Sequence, residues 1–304
     1  MGSKKIIVLY GGESSEREVS LESGKNIYIA ILELGYEASL IDYPNEFTPA
    51  ILQDHNYVFI ALHGKDGESG ALQDYLLECG IEYSGSDSAA CLKTWNKARC
   101  KEALKVNDIA TPRWASIPEL SEDYTDLSML QQEMFTLSYP LFLKPEEDGS
   151  SIDVFKILHQ RDMLDAIKNC TNKIRPFILE ESIDHKELTV PILNGECLPS
   201  VEIITSESFY NYEAKYLRDD TQLIKTNLSH HEQERLDALC IKTFHALGCK
   251  GWARIDLLQD LDGNFYVLEV NTVPGMTSHS LFPSSAKIAG LDYQSLVREI
   301  IEGV

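Results

Sequence analysis

The stretch GWARIDLLQDLDGNFYVLEVNTVPG near the C-terminus constrains the fold most strongly, because it predicts a β-hairpin with two chemically different faces. Asp262-Gly263 is a strong signal for a two-residue turn, and closing the hairpin there sets Asp256 opposite Glu269. The same count sets Arg254 opposite Asn271. Because side chains alternate across a strand, the other face should pack into a core through apolar side chains: Ala253, Ile255, Leu257, Leu268 and Val270.

The polar face of this hairpin has the chemistry of a magnesium-nucleotide site. Two carboxylates placed directly opposite each other repel, because their Cβ atoms lie only about 5 Å apart. Mg²⁺ prefers oxygen ligands and is usually held by one or two carboxylates together with substrate phosphates. Asp256, Glu269 and Asn271 offer such oxygens, and no Cys or His joins them. The residues alone also fit an exposed hairpin with solvated charges.

Composition narrows the class of protein and its partners. With 304 residues and 43% hydrophobic content, the chain can form two or three domains. A net charge of −21 disfavours nucleic acids and anionic membranes as partners, so bound phosphate must be met by local donors. No segment approaches the roughly 20 apolar residues of a membrane span. The seven cysteines lack the spacing of a zinc or disulfide framework, and we expect a cytoplasmic protein with reduced thiols.

The first part of the chain predicts a parallel α/β domain over residues 1–95. Strands and a helix alternate from Lys4 to about Gly85. Ligands bind beyond the carboxyl ends of the strands in such sheets, where the loops GGESSE and HGKDGESG fall. Glu16 and His63 should therefore face one crevice, although Glu16 could equally be a first-turn acid that suits the helix macrodipole.

The next segment predicts a mixed α+β domain over residues 96–182. Two strands flank a loop that contains Gly149-Ser150-Ser151, whose N–H groups and hydroxyls could fold over phosphates as a flap. Lys144 ends the first strand, next to this loop, and a role in binding phosphate is favoured over a surface position. Lys97 lies in a helix and could be a surface residue. Glu180 lies on a later strand whose carboxylate and backbone groups could accept from the exocyclic amine of an adenine, although runs of Glu are far more often solvated.

A third domain, residues 183–304, should carry the hairpin and a lid. The segment SESFYNYEAKYLRDDTQLIKTNLSH is long for a connection inside a domain, and loops of this length are usually lids or disordered. Lys215 could meet a phosphate there, and the Tyr216 hydroxyl could lock the lid to another loop. The same residues also fit an Ω-loop in which Tyr216 packs without a chemical role.

Several motifs, taken in order, resemble the D-alanine:D-alanine ligases over the whole chain: GGESSEREVSLESG, ALHGKDGESGALQ, the Lys-Pro and Gly-Ser-Ser flap, YEAKYL, GCKGWARIDLL and FYVLEVNTVPGMTSHSL. The resemblance implies an α/β protein with the ATP-grasp fold. The parallel α/β domain would bind substrate, and the nucleotide would lie between the central and C-terminal α+β domains. It leaves a homodimer open.

The resemblance also implies a reaction and a set of contacts. ATP would phosphorylate one D-alanine carboxylate, and the amine of a second D-alanine would attack the acyl phosphate. The implied catalytic and substrate contacts are Glu16 with Ser150 and Tyr216 at the first ammonium, His63 near the first carboxylate, Arg254 and the Gly275 N–H as oxyanion hole, and Ser280 with the Leu281 backbone at the second carboxylate. The implied ATP contacts are Lys97, Lys144 and Lys215 at the phosphates, Glu180 and Ile183 at adenine, and Glu187 at ribose. Asp256, Glu269 and Asn271 would hold two Mg²⁺ ions, for which Mn²⁺ could substitute.

The chain departs from the usual pattern of this family in its flap. Asp153 stands where the family commonly has glycine, and Glu146, Glu147 and Asp148 make the flap acidic. These changes are expected to weaken ATP binding or loosen the flap. Two alternatives remain on sequence grounds: an ATP-grasp ligase that joins another carboxylate and amine, and a non-catalytic nucleotide-binding regulator.

Overall fold

Three β-sheets organise the protein. The structure, a computed structural model, describes residues 4–120, 137–205 and 220–303. The strands in these ranges are β1 (Lys5–Gly11), β2 (Glu37–Tyr43), β3 (Tyr57–Ile60), β4 (Glu82–Tyr83), β5 (Trp114–Ile117), β6 (Leu141–Pro145), β7 (Phe155–Ile157), β8 (Phe177–Glu181), β9 (Lys186–Leu193), β10 (Glu196–Cys197), β11 (Val201–Ile204), β12 (Gln222–Lys225), β13 (Trp252–Gln259) and β14 (Phe265–Asn271).

The helices in the same ranges connect and cover these sheets. They are α1 (Arg17–Glu33), α2 (Lys65–Glu68), α3 (Ala71–Glu78), α4 (Ser88–Trp95), α5 (Lys97–Val106), α6 (Gln160–Asn169), α7 (His230–Leu247), α8 (Leu281–Ile288) and α9 (Tyr293–Glu302), with a 3₁₀ helix over Pro49–Asp54. The longest, α7, is preceded by the N-cap Ser229, which forms a capping box with Glu232. It is followed by the C-cap Gly248, whose φ of 79° suits glycine.

The first sheet confirms the predicted parallel α/β region. Its order is β2-β1-β3-β4, and every neighbouring pair is parallel. The side chains of Ile6 to Leu9 are fully buried, as expected for a strand covered on both faces. The carboxyl ends of β1 and β3 therefore open at the same edge, where Glu16 and His63 follow.

The second and third sheets are antiparallel. The second has the order β5-β8-β6-β7 and packs against α6 through Met163, Ala166 and Ile167. The third has the order β12-β11-β9-β13-β14, with β10 added beside β9. Helices α5 and α7 cover its apolar face through buried residues that include Leu104 and Phe244.

The C-terminal helices return to the first sheet. Phe282 of α8 and Ile300 of α9 belong to the same buried cluster as the β1 and β3 side chains. Trp252 of β13 joins this cluster, stacking edge-on against Phe282 with 5.3 Å between ring centroids. The first and third sheets therefore share a core. The domain limits at 95/96 and 182/183 remain predictions.

The hairpin of β13 and β14 has the predicted register at its polar end but not at its turn. Arg254 pairs with Asn271 and Asp256 with Glu269, as expected. The loop has three residues, because Asp260 N–H donates to Asn264 O at 3.0 Å. A bulge after Asp256 then restores the count, since Leu257 pairs with Val267.

The bulge overturns one core prediction. Leu268 was expected on the apolar face, but Val267 takes that place and is fully buried. Leu268 instead lines a cavity beside Glu269. The two-residue turn assumed from Asp262-Gly263 is therefore wrong by one residue, and the bulge cancels the error before the polar positions.

Candidate active site

Two cavities meet at the polar end of the hairpin. One, of about 740 Å³, lies between the second and third sheets. The other, of about 620 Å³, lies between the carboxyl edge of the first sheet and the loop after β14. The residues that line both are Lys97, Asp148, Gly149, Ser150 and Glu269. A ligand in the first cavity can thus reach a ligand in the second at this junction.

The larger cavity has an apolar part and a basic part. Phe142, Ile203 and Leu268 contribute apolar surface, while Lys97 and Lys144 contribute ammonium groups. The other predicted nucleotide residues also line it: Glu180, Ile183 and Glu187. A cavity that is apolar at one end and basic at the other suits a nucleotide, with its nucleobase in the apolar part and its phosphates at the lysines.

Glu180 is the centre of a buried ion network in this cavity wall. Its side chain is 1% exposed, and its two carboxylate oxygens contact the ammonium groups of Lys101 and Lys144. Burial alone would raise the pKa of Glu180, but the two ammonium groups outweigh it and hold the pKa below its ordinary value. Lys101 also donates to Thr111 Oγ1 at 2.7 Å. Sequence reasoning missed Lys101.

The polar face of the hairpin is pre-assembled around Asp256. Arg254 donates from Nε to Asp256 Oδ1 at 2.8 Å and from Nη2 to Oδ2 at 2.7 Å. Thr189 on the neighbouring strand β9 donates its hydroxyl to the same Oδ1 at 2.6 Å. Asp256 is buried, so this bidentate pair fixes the guanidinium of Arg254 where it lines the smaller cavity.

The donor set at this hairpin fits a hard divalent cation. Asp256 and Glu269 face each other across the ladder, and Asn271 follows two residues later on the same face. Within the described residues, no three His, Cys, Asp or Glu side chains form a metal cluster. Two carboxylates and one amide are an incomplete oxygen set, which matches the habit of Mg²⁺ of taking substrate phosphates and water as its other ligands.

Lys97 connects the flap to the hairpin. Its ammonium group donates to the Asp148 carbonyl at 2.8 Å and lies 4.0 Å from Glu269 Oε2. The helix that carries it is capped by Asn96, whose side chain accepts from the Arg99 N–H and donates to Glu146 and Glu147. Two of the acidic flap residues are thus hydrogen-bonded to the start of α5.

The flap packs directly on Glu16. A Cβ added at Gly149 would stand 2.5 Å from Glu16 Oε2, so a larger residue here would displace the Glu16 carboxylate. Ser150, next to it, is buried with a φ of 53°. The structure therefore brings Glu16 and the flap together beside the smaller cavity, as the resemblance implies.

His63 links the first sheet to the loop after β14. Its Nδ1 lies 2.9 Å from the Val273 carbonyl, so Nδ1 carries the proton. Its Nε2 lies 3.5 Å from Ser23 Oγ, which also accepts from the Met276 N–H at 3.0 Å. Burial lowers the pKa of His63 and outweighs the Glu16 carboxylate and the Val273 carbonyl, which act in the opposite direction, so the neutral ring is favoured.

Glu68 is a second site residue that sequence reasoning missed. It lines the smaller cavity, and its carboxylate accepts from the Gly64 N–H at 2.8 Å. Burial raises the pKa of Glu68 to about 8, and the Glu16 and Glu269 carboxylates contribute in the same direction. Its signal in the sequence was only its place in the polar HGKDGESG loop.

The far wall of the smaller cavity combines Gly275 with the start of α8. Ser280 precedes this helix, and its Oγ accepts from the Thr277 N–H at 3.0 Å. A Cβ at Gly275 would stand 2.8 Å from the same oxygen. The N-terminus of a helix favours anions, so this wall suits a carboxylate.

The structure thus gathers most of the predicted site residues around one junction. The smaller cavity is lined by Glu16, His63, Ser150, Arg254, Asn271, Gly275, Ser280 and Leu281. Lys215 and Tyr216 lie outside the described residues. In the ranges that are described, no helix is long and apolar enough to cross a membrane.

Comparisons with known sequences identify the family of this chain. The model of the family described as D-ala D-ala ligase C-terminus matches residues 103–302. A D-alanine–D-alanine ligase from Glaesserella parasuis serovar 5 is 39% identical over 303 residues, covering 99% of this chain and 98% of that protein. One from Ectopseudomonas mendocina is 40% identical over 300 residues, covering 98% and 93%.

Solved structures give the same result. The crystal structure of a D-alanine–D-alanine ligase from Bacillus anthracis complexed with ATP superposes with a TM-score of 0.82 at 29% identity, covering 99% of this chain and 97% of that one. The VanG D-Ala:D-Ser ligase from Enterococcus faecalis has a TM-score of 0.82 at 25% identity, covering 99% of both chains.

Proposed function

The chain belongs to the D-alanine–D-alanine ligase family, and from this premise we propose how its residues divide the work of joining two D-alanine molecules with ATP. The product, D-alanyl-D-alanine, serves peptidoglycan synthesis. The observation that carries the assignment of roles is the meeting of the two cavities at Lys97, the flap and Glu269. One cavity would hold ATP, and the other the amino acids.

The reaction has two steps that this junction can serve. A carboxylate oxygen of the first D-alanine attacks the γ-phosphorus, forming an O–P bond as the bond to ADP breaks. The amine of the second D-alanine, after losing a proton, attacks the acyl carbon, and the C–O bond to phosphate breaks. Phosphoryl transfer requires little covalent chemistry from the protein, so alignment and charge neutralisation are its main contributions.

The chain supplies cations for the phosphates. Lys97 is held by the Asp148 carbonyl close to Glu269, at the junction. Lys144 lines the same cavity with its ammonium group on Glu180. In our proposal both stand beside the triphosphate, while Glu180 and Ile183 line the adenine pocket and Glu187 meets the ribose. Lys215 keeps its predicted phosphate role.

Asp256, Glu269 and Asn271 would hold Mg²⁺ at the junction, as two ions, with Mn²⁺ as a substitute. When bound, the metal neutralises phosphate charge and orients the transferred group. Arg254 and Thr189 already fix the orientation of Asp256. Glu269 carries the more exposed carboxylate, with 37% of its side chain accessible.

The smaller cavity would position both amino acids. Glu16 would pair with the ammonium of the first D-alanine, with Ser150 and the lid residue Tyr216 beside it. Neutral His63 would face the first carboxylate without adding a competing charge. Because His63 also holds Val273, it would keep the loop that carries the oxyanion hole against the first sheet.

The oxyanion hole and the acceptor site lie on that loop. The Arg254 guanidinium and the Gly275 N–H would stabilise the negative oxygen that develops when the amine attacks. Ser280 and the Leu281 N–H, at the start of α8, would hold the carboxylate of the second D-alanine. The fixed Arg254 would be ready for charge development without reorganisation.

A direct assay tests this function. Purified protein with ATP, Mg²⁺ and D-alanine should release phosphate and form the dipeptide, whereas omission of the amino acid or replacement by L-alanine should abolish release. A panel of D-alanine, D-serine and D-lactate as acceptors would then measure the tolerance of the second site. Phosphate release at the same rate without D-alanine would contradict the proposal.

A further inference from the structure

The flap contains an unusual run of strained backbone. Ser150, Ser151 and Asp153 have φ values of 53°, 58° and 52°. Residues other than glycine rarely adopt this region of the backbone. Each such residue is strained and persists only where the surroundings hold it. Other contacts must therefore hold this stretch in place.

Arg175 provides such contacts from outside the flap. Its Nη1 donates to Asp148 Oδ2 and its Nη2 to Asp153 Oδ2, each at 2.5 Å. Its Nε donates to the Asn172 carbonyl at 3.2 Å, and its guanidinium lies 5.5 Å from the Phe177 ring centroid. One guanidinium thus joins both ends of the strained stretch and is itself held on two further sides.

Asp153 is integrated into the same arrangement. Its side chain is 3% exposed. Besides Arg175, it accepts from the Thr171 N–H at 2.9 Å and from the Thr171 hydroxyl at 2.8 Å. The Asp153 carboxylate therefore has its own set of donors.

The arrangement connects directly to the junction of the two cavities. Asp148, held by Arg175 through its carboxylate, gives its carbonyl to Lys97 at 2.8 Å. Gly149, the next residue, packs against Glu16. A displacement of Asp148 would thus move both Lys97, which is proposed to bind phosphate, and the contact of Gly149 with Glu16.

We propose that Arg175 is a positioning residue of this ligase, which clamps the flap through Asp148 and Asp153 so that Lys97 and Gly149 are in place for ATP and the first amino acid. This proposal rests on the assignment of the flap to the nucleotide site. It also implies that Asp153 and Arg175 act as a pair.

The test is a double-mutant cycle on the full chain, read by the KM for ATP. Arg175→Met should raise this KM about tenfold, because two charge-assisted hydrogen bonds are lost and a nearly buried carboxylate loses its cation. Asp153→Gly in the same background should bring the KM back to within about threefold, since glycine adopts the left-handed backbone without strain. Arg161→Met, an exposed arginine of α6, is the matched control and should change nothing.

The outcomes separate positioning from stability. A merely structural arginine would lower the melting temperature of Arg175→Met and leave the KM for ATP unchanged at 25 °C, which would overturn the proposal. Failure of Asp153→Gly to restore the KM would also overturn it. If Arg175→Met does not fold, Arg175→Lys, which cannot bridge both carboxylates, should show an intermediate KM, and a wild-type KM would refute the clamp. Absence of D-alanine-dependent turnover in the wild-type protein would instead refute the proposed function.

Discussion

Replacing Lys101 by methionine removes one of the two ammonium groups that hold the Glu180 carboxylate. Both Lys101 and Glu180 are 1% exposed, so water cannot take the place of the lost partner. Breaking a buried pair from one side typically destabilises a protein by about 3–5 kcal/mol. Because Lys144 remains on the carboxylate, we expect the lower end, a loss of about 3 kcal/mol in the free energy of unfolding.

Urea unfolding measures this loss, provided that the variant and the wild type share the same slope with denaturant. Lys105→Met, at an exposed position of the same helix, is the control and should change stability by no more than about 0.5 kcal/mol. Combining Lys101→Met with Glu180→Gln should destabilise less than the sum of the two single changes, because the residues act as a pair.

The effect should also depend on pH with a definite sign. The pKa of Glu180 is held below its ordinary value of 4.5 in the folded protein. Its ionised form therefore contributes stability above pH 4.5, and this contribution is lost as the pH falls through the folded pKa. The difference in the free energy of unfolding between Lys101→Met and the wild type should be largest at neutral pH and should become smaller in acid. A loss below about 1 kcal/mol, or additive changes in the cycle, would refute the ion network as a stabilising unit.

Two further changes test the junction. Glu269→Gln should lower kcat on the order of a hundredfold while leaving the urea midpoint unchanged, because its partly exposed carboxylate is proposed to act as a metal ligand; a normal kcat would contradict that role. Glu68→Gln should stabilise the protein at pH 8 but not at pH 4.5, since burial raises the pKa of Glu68 from 4.5 to about 8. Folded Glu68 retains a proton that the unfolded chain releases, so wild-type stability falls as the pH rises between these values. The melting temperatures of Glu68→Gln and the wild type at the two pH values measure this stabilisation. An equal difference in melting temperature at both pH values would contradict the raised pKa.

The polar face of the hairpin could be predicted from the sequence because strand alternation is a strong constraint. Asp256 and Glu269 are paired as counted, although the loop is one residue longer than assumed and a bulge compensates. The bulge could not be predicted, since nothing in the local sequence around Leu268 distinguishes it from an ordinary strand position. Its consequence is visible only in the structure, where Val267 enters the core and Leu268 enters the cavity.

Residues that act through distant partners were the ones missed. Lys101 follows Cys100 and precedes Leu104 on the buried side of α5, and a lysine in an apolar stripe was an available signal. Arg175 gave no such signal, because its partners Asp148 and Asp153 are more than 20 positions away in the chain. The motifs that resemble a family identified the groups facing the ligands, whereas the groups that hold them depend on tertiary packing.

The shared core of the first and third sheets has a consequence for synthesis on the ribosome. Domains generally fold from the N-terminus as they emerge, yet Ile6 to Leu9 share one buried cluster with side chains of α8 and α9, and the Tyr57 hydroxyl donates to the Ile300 carbonyl. Part of the apolar surface of the N-terminal sheet would therefore stay uncovered until α9 has been translated. For this interval the nascent chain would depend on chaperones, and a stop codon before α9 would leave that surface exposed for good.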